Sequence, residues 1–432
     1  MMRLSTADAG FERAFTGLLE QSRETTARVD APVAAIIADI RARGDEALCA
    51  LTRRFDRHAA TPATLRVGAS EIDAAAASIP AELAAALDLA ATRIEAFHAL
   101  QRPVDLATTD ATGLRLGMRW TPLDAVGLYV PGGKASYPSS VLMNAIPARV
   151  AGVGRLAMCV PTPDGALNPL VLAAARRAGV TEIYRVGGAQ AVAAMAYGTA
   201  TIAPVDRIVG PGNAYVAEAK RQVFGRVGID GIAGPSEVVV LADRAADPRR
   251  VAVDLLAQAE HDESAQAILV TDDPALAEAV AGAVELELRS LSRPEAAISW
   301  RDHGAIILVR DWDEGVALAN RLAPEHLQVM VAQPAALFAR IRHAGAAFLG
   351  SDCPEALGDY VAGPNHVLPT GRTARFASGL SVFDFLKRTT WIEANPASLA
   401  AIGPAAVALA EAEGLQAHAR SVAMRLGQPA RA

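Results

Sequence analysis

The chain has 432 residues, 52% of them hydrophobic and only 5% aromatic, with a formal net charge of −6. That length is too great for one ordinary core, and the negative balance argues against nucleic acid or an anionic membrane as the main partner. Its 3 cysteines, Cys49, Cys159 and Cys353, lie far apart with no CxxC spacing, so reduced thiols of a cytoplasmic protein are expected rather than a disulfide framework.

Residues 1–30 carry Asp8, Glu12, Glu20 and Glu24 and no apolar core, unlike a signal peptide, and no run of about 18 apolar residues predicts a membrane span. Residues 11–55 read as helix, with Val33, Ile36, Ile37 and Ile40 on one face and an interruption at Gly44. A second helical region covers 71–100, broken at Ile79-Pro80. From Trp120 the texture changes: Val126 to Val130 is a short strand, followed by a glycine turn and a helix that opens near Ser139.

Three later segments repeat a strand–turn–helix grammar. Leu156 to Val160 precedes a helix over 170–178; Glu237 to Leu241 precedes Asp247-Pro248 and a helix; Ala267 to Val270 precedes Asp273-Pro274 and another. In both Asp-Pro pairs the aspartate suits an N-cap and the proline the first helical position. Ala305 to Val309 adds a strand, and the Ala-rich stretch from Leu399 to Met424 reads as helix. Alternation of this kind predicts an α/β protein with mostly parallel sheets covered on both faces.

Several groups can carry chemistry. Pro324-Glu325-His326 sets an acid beside a base just after a proline, where a turn is expected; a carboxylate activates water and an imidazole takes protons near neutral pH. The alternative is a glutamate at a helix start beside a surface histidine. Gln258 and His261 are three apart on one helix, either metal ligands or a solvated face. Asp359 and His366 fall in a Gly/Pro-rich stretch that reads as loop, and Glu413 and His418 lie near the end of the chain, where an exposed helix end is the plainer reading. Two imidazoles, a carboxylate and an amide would suit one zinc, although spacing does not show that they converge. Four glycine loops, at Gly132-Gly133, Gly187-Gly188, Gly210-Pro211-Gly212 and Gly234-Pro235, allow close backbone approach to a phosphate or nicotinamide. No GxGxxG follows the first strand, and no acidic residue stands at the usual ribose position.

Nine ordered motifs carry a resemblance. They are centred on Tyr129 to Gly133, Gly187 to Gln190, Gly210 to Asn213, Gly234 to Glu237, Gln258 to Asp262, Pro324 to Leu327, Gly358 to Tyr360, Asn365 to Thr370 and Glu413 to His418. Together they resemble histidinol dehydrogenase over nearly the whole chain. The resemblance implies an NAD- and zinc-dependent oxidation of L-histidinol through the aldehyde to L-histidine, the end of histidine biosynthesis. It implies zinc ligands Gln258, His261, Asp359 and His418, a base His326 for the alcohol, and Glu325 to activate water for the aldehyde. The substrate contacts implied are Ser236, Gln258, His261, His326, Asp359, His366, Glu413 and His418; the NAD contacts are Tyr129, Gln190 and Asn213. A homodimer with shared active sites is implied, Glu413 and His418 serving the partner.

The expected architecture is a pair of incomplete Rossmann-like α/β domains in a domain-swapped dimer. Its parts are an N-terminal helical arm (1–27), a discontinuous catalytic and zinc domain (28–125 and 236–380), an NAD-binding domain (126–235) and a C-terminal helical module (381–432). Two rivals stand beside this reading: a paralogous zinc/NAD dehydrogenase for another polar alcohol, and a binding protein that has kept the fold without the chemistry.

Overall fold

The structure, a computed structural model, describes residues 1–20, 29–132, 137–232 and 234–427. Gly133, Lys134 and Ala233 of the glycine loops, and residues 21–28, which hold the end of the expected N-terminal arm, lie outside the described residues. The chain divides into two compact units, residues 1–101 with 123–385 and residues 102–122 with 386–432. No single helix among the described residues is long and apolar enough to cross a membrane.

Among the described residues fourteen strands form three sheets. In the first unit they are β1 (Met2–Ser5), β4 (Ala125–Tyr129), β5 (Arg155–Cys159), β6 (Glu182–Tyr184), β7 (Arg207–Val209), β8 (Gly228–Ile229), β9 (Glu237–Ala242), β10 (Gln266–Thr271), β11 (Ala305–Leu308), β12 (His326–Met330) and β13 (Ala346–Leu349). The second unit has β2 (Leu106–Thr109), β3 (Arg115–Pro122) and β14 (Leu386–Glu393).

The larger sheet runs β1-β11-β10-β9-β12-β13, and every pairing is parallel. Its central strand β9 is buried along its whole length, as a sheet covered on both faces requires. Period-2 alternation splits that strand. Val238 and Val240 pack under helices Pro248–Ala259, Pro274–Glu287 and Pro294–His303, while Val239 and Leu241 meet Phe11–Glu20 and Trp312–Leu322. Asp247 and Asp273 cap their helices as expected, each accepting a backbone N–H two residues on.

The five-stranded sheet runs β6-β5-β4-β7-β8, again all parallel. Numbered within each sheet from its first buried strand, both follow the order 3-2-1-4-5, which reverses beside the first strand. Such a reversal leaves a crevice at the strand ends. One face of the five-stranded sheet is covered by helices Gly188–Tyr197 and Ala214–Val223 and also by Asp30–Arg43 and Asp45–Asp56, whose Val33, Ile37, Ile40 and Leu48 join its core.

Three expectations change here. The N-terminal segment is not wholly a helical arm: Met2–Ser5 is an edge strand of the six-stranded sheet. The helices of 30–56 pack on the five-stranded sheet and not with residues 236–380, because an apolar face calls for a partner without naming it. The C-terminal module is not wholly helical, since Leu386–Glu393 is a strand. In the second unit β14 pairs antiparallel with β3, which pairs antiparallel with β2, and the helices Pro396–Ala412 and Gln416–Arg425 follow. Trp391 lies over Gly117 across that pairing, where a Cβ would fall 2.1 Å from the indole.

Candidate active site

Pro324 marks the end of helix Trp312–Leu322, and Ala323 leaves it in the left-handed conformation, φ 44°. Glu325 then bends into β12, whose first residue is His326. β12 pairs with β9, so His326 stands opposite Val238 and next to Glu237. The result is a buried cluster at the amino ends of two central strands. Glu325 Oε2 accepts from the backbone N–H of Glu237 at 2.9 Å, and His326 Nδ1 donates to the Glu237 carbonyl at 3.1 Å.

That second bond fixes the tautomer. A carbonyl only accepts, so Nδ1 carries a hydrogen, and in the neutral ring the lone pair falls on Nε2. Nε2 is buried without a hydrogen-bond partner, 3.7 Å from Asp359 Oδ1, and the ring lies over Phe348 with centroids 6.0 Å apart. His366 is set the same way, Nδ1 donating to the Asp359 carbonyl at 2.9 Å while Nε2 faces Ser140 Oγ at 3.3 Å.

Gln258 closes the last turn of helix Pro248–Ala259 and is fully buried. His261 sits in the turn just past that helix, its N–H bonded to the Gln258 carbonyl at 3.2 Å. With its amide turned to satisfy both neighbours, Gln258 donates to Glu355 Oε1 at 3.0 Å and accepts from Glu237 N at 3.3 Å. Asp359 is not in a loop as expected; it lies on the short helix Glu355–Tyr360, and the loop begins after it.

Charge is concentrated here. Burial alone would lower the His326 pKa, but Glu355, Glu325 and Asp359 outweigh it and hold the imidazole well above its usual range. Burial raises Glu325, Glu355 and Glu237, Glu325 adding to the rise at Glu237. Burial also pulls Asp359 upward, yet the His326 imidazole 3.7 Å away, with His366 and His261, holds it below the ordinary carboxylate value. Burial lowers His261 and His366.

Sequence reasoning missed Glu355 altogether and gave Glu237 no chemical role, only a place in a loop motif and at the start of a strand. Both are buried acids, and burial is not written in a single charged residue. Asp254, one turn before Gln258, belongs to the same group: burial raises it, and Gln328 donates to it. The one available signal was position, since Glu237 opens a strand whose neighbours are all apolar.

Among the described residues no group of three or more His, Cys, Asp or Glu is arranged to hold a metal ion. The first unit brings together Gln258, His261 and Asp359, with His326 and His366 beside them. Buried and unpartnered oxygens on Glu237 and Glu355, and the free His326 Nε2, mark a site short of positive or donor groups, which suits a cation. Ser236 stands half-buried immediately before β9. Glu413 and His418 belong to the second unit, where they are exposed and line a groove between its two helices with Ala406, Leu409 and Val422.

Three of the four glycine loops follow the carboxyl ends of β4, β6 and β7 in the five-stranded sheet, and the fourth, Gly234-Pro235, leads into β9. Tyr129 ends β4, buried, and its hydroxyl accepts from Gly188 N at 3.1 Å. Gln190 is buried in the first turn of helix Gly188–Tyr197. Asn213 caps helix Ala214–Val223, its Oδ1 accepting from Tyr215 N and Val216 N at 3.1 and 3.2 Å. Gly210 has φ +115°, and a Cβ there would fall 2.0 Å from the Tyr129 carbonyl oxygen, so this close approach requires glycine.

Comparison with known proteins gives one answer. The family model for histidinol dehydrogenase matches residues 19–426. The chain is 68% identical over 427 residues to the histidinol dehydrogenase of Gluconobacter oxydans, covering 99% of each chain. It is 63% identical to that of Ruegeria pomeroyi, covering 98% of each. The crystal structure of histidinol dehydrogenase from Elizabethkingia anophelis superposes with a TM-score of 0.94 at 36% identity, covering 99% of this chain and 98% of that one. With its buried acid–base pair and glycine loops on an α/β framework shared from end to end, the chain belongs to the histidinol dehydrogenase family of oxidoreductases.

Proposed function

We propose that the chain oxidises L-histidinol to L-histidine in two steps through the aldehyde, using NAD as hydride acceptor and one zinc per subunit. The observation that carries the reading is the unpartnered His326 Nε2, its partner nitrogen committed to the Glu237 carbonyl and Glu325 set beside it in one buried cluster.

Gln258, His261 and Asp359 would hold the zinc together with His418 of the partner subunit, and bound zinc would supply an anchor for the substrate's imidazole and amino nitrogens. The donors are hard or borderline oxygen and nitrogen groups, matched to zinc. Cation binding at Asp359 would also relieve one of the carboxylates that hold His326 protonated, favouring the neutral form a base needs.

His326 Nε2 then takes the alcohol proton as hydride leaves carbon. For the aldehyde, Glu325 keeps one oxygen on Glu237 N, and the other is available to draw a proton from water. The aldehyde hydrate loses the second hydride. Ser236, His366 and Glu413 serve as substrate contacts; His366 is positioned by Asp359 and Ser140.

Tyr129, Gln190 and Asn213 would contact NAD at the Rossmann-like crevice where β4 meets β7. The N-terminus of helix Ala214–Val223 opens at this edge and favours an anionic diphosphate. A homodimer that brings Glu413 and His418 to the partner's site is supported by apolar residues left open on the second unit. Leu106, Ile392, Leu409 and Met424 are 53%, 72%, 66% and 70% exposed. Such an enzyme would work in the cytoplasm.

The test is stoichiometric. Purified protein, L-histidinol and excess NAD should give two NADH per histidinol, lost with a chelator and restored by zinc. One NADH per histidinol would mean the aldehyde step is absent. No NADH would favour a paralogue with another polar alcohol as substrate.

A further inference from the structure

We infer that the buried pair Lys220–Asp230 is a positioning device for the cofactor loop Gly210 to Asn213, an inference that rests on the reading of that loop as part of the NAD site. Lys220 lies on the inner side of helix Ala214–Val223 and is 2% exposed. Asp230 follows β8, and the side chains form an ion pair. Both reach the same peptide residue from opposite sides. Lys220 Nζ donates to the Gly210 carbonyl at 3.1 Å, and Asp230 Oδ2 accepts from Gly210 N at 2.7 Å.

A buried ion pair is a poor way to gain stability, because apolar residues of similar volume do as well without removing two charges from water. Its use here is local. Gly210 turns at φ +115° against the Tyr129 carbonyl, in a conformation that leaves its N–H and C=O without strand partners. The pair satisfies both groups and fixes the direction in which the chain leaves β7. Asn213, three residues on, then caps the helix that carries Lys220, so the loop is closed at both ends.

Asp230 also accepts from Gly231 N at 2.8 Å, on the connection that leads to Ser236 and β9. The pair touches neither the acid–base pair nor the proposed metal donors. Its effect should therefore be confined to the cofactor.

The experiment compares zinc-loaded parent, Lys220→Arg, Lys220→Met and the double variant Lys220→Met/Asp230→Leu. Each is assayed for KM of NAD, KM of histidinol, zinc content and Tm. Hydrogen exchange over 209–216 is measured in the parent with and without NAD. Lys220→Met should raise KM for NAD about tenfold, the worth of a charged hydrogen bond, with KM for histidinol and zinc content unchanged, and Lys220→Arg should recover part of it. Should Lys220→Met fail to fold, the double variant, which leaves no lone buried charge, keeps the question open to measurement. It should regain a near-parental Tm and retain the raised KM for NAD. A double variant normal in both Tm and KM for NAD would show the pair to be structural only and overturn the inference. Equal rises in both KM values would do the same. Absence of NAD protection over 209–216 in the parent would instead remove the cofactor reading on which the inference stands.

Discussion

In the five-stranded sheet, the residues proposed for the cofactor follow the carboxyl ends of β4, β6 and β7, whereas in the six-stranded sheet Glu237 and His326 enter at the amino ends of β9 and β12. The two sheets share a strand order, yet opposite edges carry their polar groups. Polarity explains the difference. At the carboxyl edge of a parallel sheet the helices begin, and their free N–H groups favour an anion such as a diphosphate. At the amino edge the helices end, and their free carbonyls favour a cation. Gln258 and His261 stand at the end of helix Pro248–Ala259, and Asp359 stands at the end of Glu355–Tyr360. One topology thus offers two sites of opposite sign.

The largest expected effect tests the amino edge. His326→Ala should lower histidinol turnover by about a thousandfold with zinc retained, the scale of a lost general base. Loss of zinc with the activity would show the edge to be one structural unit. Glu325→Gln should reduce oxidation of the aldehyde by about a hundredfold while alcohol oxidation, followed as the first NADH, stays measurable. Equal loss of both half-reactions would count against the separate roles.

Glu355→Ala removes the acceptor that orients Gln258. It should weaken zinc binding about tenfold or more in competition with a chelator, with KM for NAD unchanged. At the carboxyl edge the converse should hold. Gly210→Ala, forced against the Tyr129 carbonyl, should cost about 2 kcal/mol of stability by denaturant melt and raise KM for NAD while zinc content stays the same. Asn213→Ala should cost about 1 kcal/mol as a lost N-cap, the smallest of these effects.

Much of the framework was legible from residues alone. Asp247-Pro248 and Asp273-Pro274 announce their helices because a cap and a fixed φ act over a few residues. Val33, Ile36, Ile37 and Ile40 show a helix face for the same reason, but the sheet they cover was misjudged, since periodicity carries no address. The motifs around Glu325, His326, Gln258 and Asp359 were found and lie together. Glu355 and Asp254 were not, because an acid two residues from a cysteine or a turn from a glutamine reads as surface until packing buries it. The third sheet was invisible for a different reason. Leu386–Glu393 finds its partner in Arg115–Pro122, and a pairing at such separation leaves no local pattern.

That pairing also sets an order of events during synthesis. β2 and β3 leave the ribosome as a two-stranded ribbon, and β14 follows only after more than 260 further residues. At the pace of translation, the free edge of β3 waits roughly a quarter of a minute or longer for its closing strand. An unpaired edge is an invitation to other strands. A chain released between Phe385 and Glu393 would carry a complete first unit and yet present that ribbon uncapped, an adhesive remnant.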